Sequence, residues 1–348
     1  MKKKRRTSKR KSGFKIFGLL FILGVLAAGA AYYVLFMSNT SQGDEDFFYI
    51  RSDDSYGDVR QHLIDHKIVL NEATFDLVAK QMNLPNTYKA GRYKIPKGLS
   101  NTQLVRMIRS GKWEKSIIKI DVEMSREEVV EYLAANLEAS KKDIEQSLNG
   151  DWVSEFGFTE ENKWCVFLPD HYHFNWATPA DKAIKRFVDE YNRFWTSERK
   201  AKAKKQGLNT KEACILASIV DGEAIHVSEM PTIAGLYLNR IKKGILLQAD
   251  PTVLYVVGRE GRHRVLYKDL KAENPYNTYI HKGLPPGPIF LPDKRAIEAS
   301  INPQKHNYIF MCAKPDGSFY HNFTSSARQH NRNAAAYRRS MDRRGVRR

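Results

Sequence analysis

The stretch ASIVDGEAIHVSEMP, residues 217–231, decides how the second half of the chain is read. An apolar run of Ile215, Leu216, Ile219 and Val220 leads into a carboxylate on the same side. Leu216, Val220 and Glu223 stand at i, i+4 and i+7, so they share one face of a helix. Glu223 is then either a solvated helix end or an acid held among apolar groups with a raised pKa. The second arrangement keeps a proton available near neutral pH, as general-acid chemistry requires.

Downstream, Ser228 is placed to cap a helix that tolerates Pro231 in its first turn. Ile233, Leu236, Tyr237 and Ile241 form its buried stripe, and Gly244 sits at its C′ position. LLQADPTVLYVVG (246–258) joins a polar corner, Gln248, Asp250 and Pro251, to a short apolar segment. NPYNTYIHKGLPPGPIFLP (274–292) carries six prolines and glycines between Gly283 and Pro292, and reads as a rigid irregular loop.

Upstream, the helix of the opening stretch begins at about Thr210, and another covers Ala180 to Trp195. The Lys-rich run SERKAKAKKQG between them reads as a solvated helix face. KSIIKIDV is a strand leading to a helix that begins at Ser125 or Arg126, with Val129, Val130 and Leu133 inward. Before it, Phe47, Tyr49 and Arg51 alternate as a strand. Asp53 or Asp54 then caps a helix with Val59, Leu63 and Ile64 on its apolar face. AGRYKIPKGLSNTQLVRMIRSGK repeats the order, with a cap at Ser100 or Asn101, a face of Leu104, Met107 and Ile108, and a stop at Gly111. This small α+β module resembles LysM-type glycan-binding modules in size and order.

The net charge of +18 is concentrated at the ends. Residues 1–15 hold nine Lys/Arg and no acid, and residues 337–348 hold six Arg against one Asp, leaving about +4 for residues 16–336. A nearly balanced body argues against a broad nucleic-acid-binding face. Ile16–Met37 has 22 residues without a charge. At ~1.5 Å per residue it reaches roughly 33 Å, enough to span a bilayer core. A cleaved signal peptide has the same basic-then-apolar order, but its apolar core is shorter. A retained anchor is the reading adopted, with Tyr32 and Tyr33 at its outer end and the cationic N-terminus in the cytoplasm. The Arg-rich C-terminus is read as an unstructured tail.

Three cysteines make no disulfide framework; Cys214 reads as a small core residue, and a bridge between Cys165 and Cys312 stays open. G-x-S-x-G, Walker A and G-x-G-x-x-G motifs are absent. His171 and His173 lack a third spaced ligand, so no metal is expected. What remains is a cluster of Glu223, Gln248, Asp250 and Asn277 with Tyr255, Tyr276 and Tyr279. Carboxylates, amides and rings together suit a carbohydrate, whose hydroxyls need donors and acceptors and whose C–H faces stack on aromatics. Gln248 and Asp250 either brace the turn before Pro251 or bind substrate, and a hydrolase pair of Glu223 with Asp250 stays open.

The blocks LASIVDGEA, IAGLYLNRIKKGILLQADPTVLY, PYNTYIHKGLPPGPI, INPQKHNYIFMCAKPDGSFYHNFT and HNRN are similar, in order and spacing, to those of the endolytic murein transglycosylases of the YceG-like family. The family motif S-I-V-E-x-E-T places its catalytic acid at Glu223; Asp221, Gly222 and Ala224 depart from the motif around it. The resemblance implies an α+β fold: basic tail 1–15, transmembrane helix 16–37, linker 38–45, LysM-like module 46–118, mixed α/β catalytic domain 119–336 and basic tail 337–348. It implies a lytic transglycosylase in which Glu223 serves as acid and then base, giving 1,6-anhydro ends on peptidoglycan. Gln248, Asp250, Tyr276 and Asn277 fall in blocks that line the glycan cleft. No cofactor is expected. The partners are glycan strands, the inner membrane and candidate cell-wall synthesis proteins, with the active part outside the cytoplasm. A muramidase-like hydrolase and a non-catalytic glycan-binding scaffold are the alternatives.

Overall fold

The computed structural model describes residues 10–41, 43, 45–122, 124–258 and 265–343. Most of the basic stretch 1–15 and the last five residues of the C-terminal tail lie outside the described residues. The chain divides into two compact units: residues up to Ser116 with Phe174–Thr178, and Ile117–His173 with Pro179 onward.

In the first unit, α1 (Arg10–Phe36) contains a 22-residue apolar span, Lys15–Phe36, most of whose side chains the protein leaves uncovered, while Val34 and Leu35 in its last turn pack on the core of the unit. Its last carbonyls do not depend on water: Asn101 Nδ2 donates to Val34 O at 3.0 Å and Thr102 Oγ1 to Leu35 O at 2.7 Å. Strand β1 (Phe48–Ile50) pairs antiparallel with β2 (Gly91–Tyr93). Three helices, α2 (Tyr56–Asp65), α3 (Glu72–Gln81) and α4 (Asn101–Ser110), complete the unit around Ile50, Leu63, Phe75, Tyr93 and Leu104.

Three expectations are corrected here. Strand β1 buries Phe48 and Ile50, the opposite phase from Phe47 and Tyr49, because FFYI is apolar throughout and carries no period of two. The cap of α2 is Ser55, not Asp53 or Asp54, since only Ser55 has an acid three residues on to close a capping box, Asp58. The segment after the span is no free linker in its first residues: Asn39 and Thr40 are buried, and Asn39 Nδ2 donates to Asn101 Oδ1 at 2.6 Å.

The second unit opens at Ile117, within β3 (Lys115–Ile120), and continues with α5 (Arg126–Asn136), α6 (Lys141–Leu148) and α7 (Trp152–Glu155). β4 (Asp170–Asn175) pairs with β3, and α8 (Ala180–Phe194) and α9 (Ser197–Gln206) follow. Next comes α10 (Thr210–Glu223), which is started by a capping box between Asn209 and Glu212 and buries every residue from Ala213 to Val220. It packs against α11 (Met230–Lys242) and α13 (Lys294–Ile301), with α12 (Asp250–Val257) beside its C-terminus. A hairpin of β5 (Phe310–Ala313) and β6 (His321–Thr324) is covered by α14 (Ala327–Arg343). Gly235 lets the 304–306 segment lie against α11: a Cβ there would stand 2.5 Å from Gln304 O.

Ser228 does not cap α11. It lies in a 3-10 turn, Val227–Glu229, and α11 starts at Met230 without a side-chain cap. The apolar segment after Pro251 is the helix α12. The C-terminal tail is helical as far as Arg343, because α14 packs on the hairpin and Ser340 Oγ donates to Pro315 O at 2.6 Å. All three cysteines are free; Cys165 interacts with Cys214 rather than Cys312, its Sγ lying 4.0 Å from Lys211 O in the first turn of α10.

Candidate active site

Glu223 is the last residue of α10, where the backbone turns extended at Ala224 and leaves the carboxyl facing α11. Tyr237, fully buried on α11, donates its hydroxyl to Glu223 Oε1 at 2.7 Å. One turn on, Arg240 is also buried. Its Nε donates to Ile309 O at 2.7 Å, and its Nη1 to Leu246 O at 2.9 Å, Leu247 O at 2.8 Å and Gln248 Oε1 at 3.2 Å. This one guanidinium ties α11 to the entrance of β5 and to the corner before α12. Gln248 adopts the left-handed region at φ 51°, with its N–H on Thr278 O at 3.0 Å. Asp250 is exposed at the start of α12, and its Oδ1 accepts from Tyr279 Oη at 2.6 Å.

Glu223, Tyr237, Arg240, Gln248, Asp250 and Tyr279 line one cavity of about 370 Å³, whose other wall is β5 with His321, His330 and Tyr337. Taken as a whole residue Glu223 is only half-buried, but its carboxyl is enclosed by protein. That enclosure pushes its pKa up to about 7. The Tyr237 hydrogen bond and the Arg240 charge pull the other way, and the Asp250 charge adds to the rise. Desolvation wins because hydrogen bonding from one neutral hydroxyl does not replace the water a carboxylate loses. Burial and the Asp250 charge likewise push the Tyr279 hydroxyl up, so it stays a donor to Asp250.

The other expected residues are placed differently. Asn277 is fully buried: its Nδ2 donates to Leu270 O at 3.1 Å and Ala272 O at 2.9 Å, and its Oδ1 accepts from Tyr279 N at 3.0 Å. It therefore holds the backbone of the residue that orients Asp250, and does not line the cavity. Tyr276 also lies outside it, accepting from Arg126 Nη2 at 3.0 Å with its ring 4.8 Å from that of Tyr255. Asp221 turns away too, taking the Asp293 N–H at 3.2 Å at the start of α13. Gly222 is required by packing: a Cβ there would lie 2.8 Å from Phe290 Cε2 and 2.9 Å from Pro251 Cβ. Tyr237 and Arg240 escaped the sequence reading as site residues. The one available signal was a cation, Arg240, three residues after Tyr237 on an otherwise buried stripe.

Residues 48–336 match the YceG-like family. A Bacillus subtilis (strain 168) protein named endolytic murein transglycosylase is 28% identical over 305 residues, covering 83% of this chain and 83% of that protein. A Streptococcus pneumoniae serotype 2 (strain D39 / NCTC 7466) protein of the same name is 32% identical over 139 residues, 38% of this chain and only 25% of the relative. The crystal structure of a yceG-like protein from Listeria monocytogenes aligns with a TM-score of 0.54 at 25% identity, over 82% of this chain and 97% of that one.

Proposed function

The chain belongs to the YceG-like family, and on that premise we propose that it is an endolytic peptidoglycan lytic transglycosylase. It cuts the MurNAc–GlcNAc β-1,4 bond within nascent strands, limits their length and leaves 1,6-anhydro-MurNAc ends. The observation that carries this reading is the enclosed Glu223, whose pKa of about 7 leaves a large protonated fraction at neutral pH.

Protonated Glu223 gives its proton to the glycosidic oxygen as the C1–O bond breaks, and the leaving sugar departs as an alcohol. The carboxylate so formed then takes the proton of the muramic acid C6 hydroxyl as that oxygen bonds C1. The proton count closes without water, and one carboxylate performs both transfers. Tyr237 assists the first half, because its hydroxyl stabilises the carboxylate that proton donation leaves on Glu223. Gln248 and Asp250 contact the glycan from the α12 side, Asp250 fixed by Tyr279. Tyr276 and Asn277 act from behind as braces.

Helix α1 anchors the chain in the inner membrane as a single span. The Lys/Arg-rich residues 1–15 keep the N-terminus cytoplasmic, with the active unit outside. The first unit is a LysM-like module that holds the strand near the bilayer where it emerges, beside cell-wall synthesis proteins. A second reading has one observation in its favour: Asp250 shares the cavity, and its charge raises the Glu223 pKa, as in a two-carboxylate hydrolase. Borodeuteride labelling of digested glycan separates the two. Hydrolysis leaves reducing ends that take up label, whereas anhydro ends do not; label at every new end overturns the lyase reading.

A further inference from the structure

Glu229 and His321 form a pair at the edge of the Glu223 cavity that the mechanism above leaves unused. Glu229 precedes α11, and His321 opens β6 and lines the cavity. One carboxylate oxygen of Glu229 accepts the His321 backbone N–H at 2.9 Å, and the other meets His321 Nδ1 at 2.9 Å. The side chains are only 9% and 13% exposed, so the clamp is nearly dry. An ionised carboxylate only accepts hydrogen bonds. Opposite an ionised Glu229, Nδ1 carries the hydrogen, and in the neutral ring the lone pair is on Nε2. The side-chain hydrogen bond of His321 to the described residues is the one at Nδ1, which leaves Nε2 facing no protein partner among them. A pair that merely stapled β6 to α11 would need Nδ1 alone, and apolar side chains would do that at lower desolvation cost.

We propose that His321 is a glycan-contacting residue, its Nε2 accepting a polar hydrogen of a sugar bound in the Glu223 cavity, with Glu229 as the positioning residue that fixes its tautomer. The inference rests on the transglycosylase reading for the identity of the ligand. The acceptor it adds lies on the hairpin side, opposite Gln248 and Asp250 on the α12 side.

The test uses full-length chain in detergent, in the Glu223→Gln background so that strands are bound and not consumed. His321→Asn keeps an amide N–H for Glu229 but has nothing at the Nε2 position. Its affinity for purified uncrosslinked glycan strands should fall about 10-fold, with the melting temperature essentially unchanged. His321→Gln, which restores an acceptor near Nε2, should recover part of that loss. Glu229→Gln presents an amide to Nδ1, moves the ring proton to Nε2 and should weaken binding to a similar extent. In otherwise wild-type protein the same His321→Asn change should appear in KM, with kcat nearly preserved. Unaltered affinity in a stable His321→Asn variant overturns the proposal, as does a loss that only tracks melting temperature or falls only on kcat. Absence of cleavage by wild type would instead sink the transglycosylase reading, while the affinity comparison still decides the role of His321.

Discussion

Tyr237 donates to Glu223 Oε1 at 2.7 Å, joining the end of α10 to the middle of α11 in the wall of the cavity. The bond favours the carboxylate, and burial favours the acid; the balance lies near neutrality because neither acts alone. Tyr237→Phe removes the one hydrogen bond among the described residues that favours the charged form. The alkaline limb of the pH–kcat/KM profile should move upward, and unfolding titrations should show a stability loss of about 1–2 kcal/mol from the unpaired carboxyl oxygen. A limb that stays in place contradicts the assigned balance.

The same enclosure makes a stability prediction. The Glu223 pKa is raised from 4.5 to about 7 in the folded chain. Below pH 4.5 both states are protonated and no penalty exists. Between there and pH 7 the unfolded chain ionises first, so stability falls as pH rises through that window. The full penalty is about 3 kcal/mol. Glu223→Gln removes it, so the variant should gain on wild type from pH 4.5 to about 7 and level off above that. A difference independent of pH would mean that the carboxyl is not enclosed.

Gly222→Ala tests the packing at the end of α10. Alanine favours a helix by about 1 kcal/mol over glycine, but its Cβ would sit 2.8 Å from Phe290 and 2.9 Å from Pro251. Overpacking of this kind costs about 1–3 kcal/mol, and the relief is to push α12, and Asp250 with it, away from Glu223. We expect a small loss of stability and about a 10-fold loss of kcat/KM. A stabilised, fully active variant would show that α12 is not set by this contact.

Asp221→Asn should leave kcat/KM within about threefold of wild type, because Asp221 caps the Asp293 amide outside the cavity and an amide oxygen can do the same. A loss of 100-fold or more would return Asp221 to the chemistry.

Arg240→Lys should be severe despite the preserved charge. A single ammonium cannot reach Ile309 O, Leu246 O, Leu247 O and Gln248 Oε1 together. Thermal unfolding should show a loss of about 3 kcal/mol, with glycan cleavage falling as the Gln248 corner loosens.

The position of Glu223 was legible because i, i+4, i+7 spacing needs only the local helix. Its pairing with Tyr237 was not, since it depends on how α10 and α11 cross. The Gln248–Asp250 corner could be read two ways, and both describe part of it: Gln248 is braced by Arg240, while Asp250 faces the cavity. Asn277 was misplaced because its partners are backbone carbonyls, to which sequence patterns are blind. Helix α14 was hidden by its arginines. Its packing face is thin, and the features that hold it, the hairpin and the Pro315 carbonyl, are tertiary. The pinned residues after the span, Asn39 and Thr40, were hidden for the same reason.

The most direct test of the central claim is mass spectrometry of purified peptidoglycan digested by the full chain, wild type beside Glu223→Gln. Wild type should release 1,6-anhydro-muropeptides and the variant none, while the variant still binds strands. Anhydro products from both proteins, or from neither, would contradict that claim.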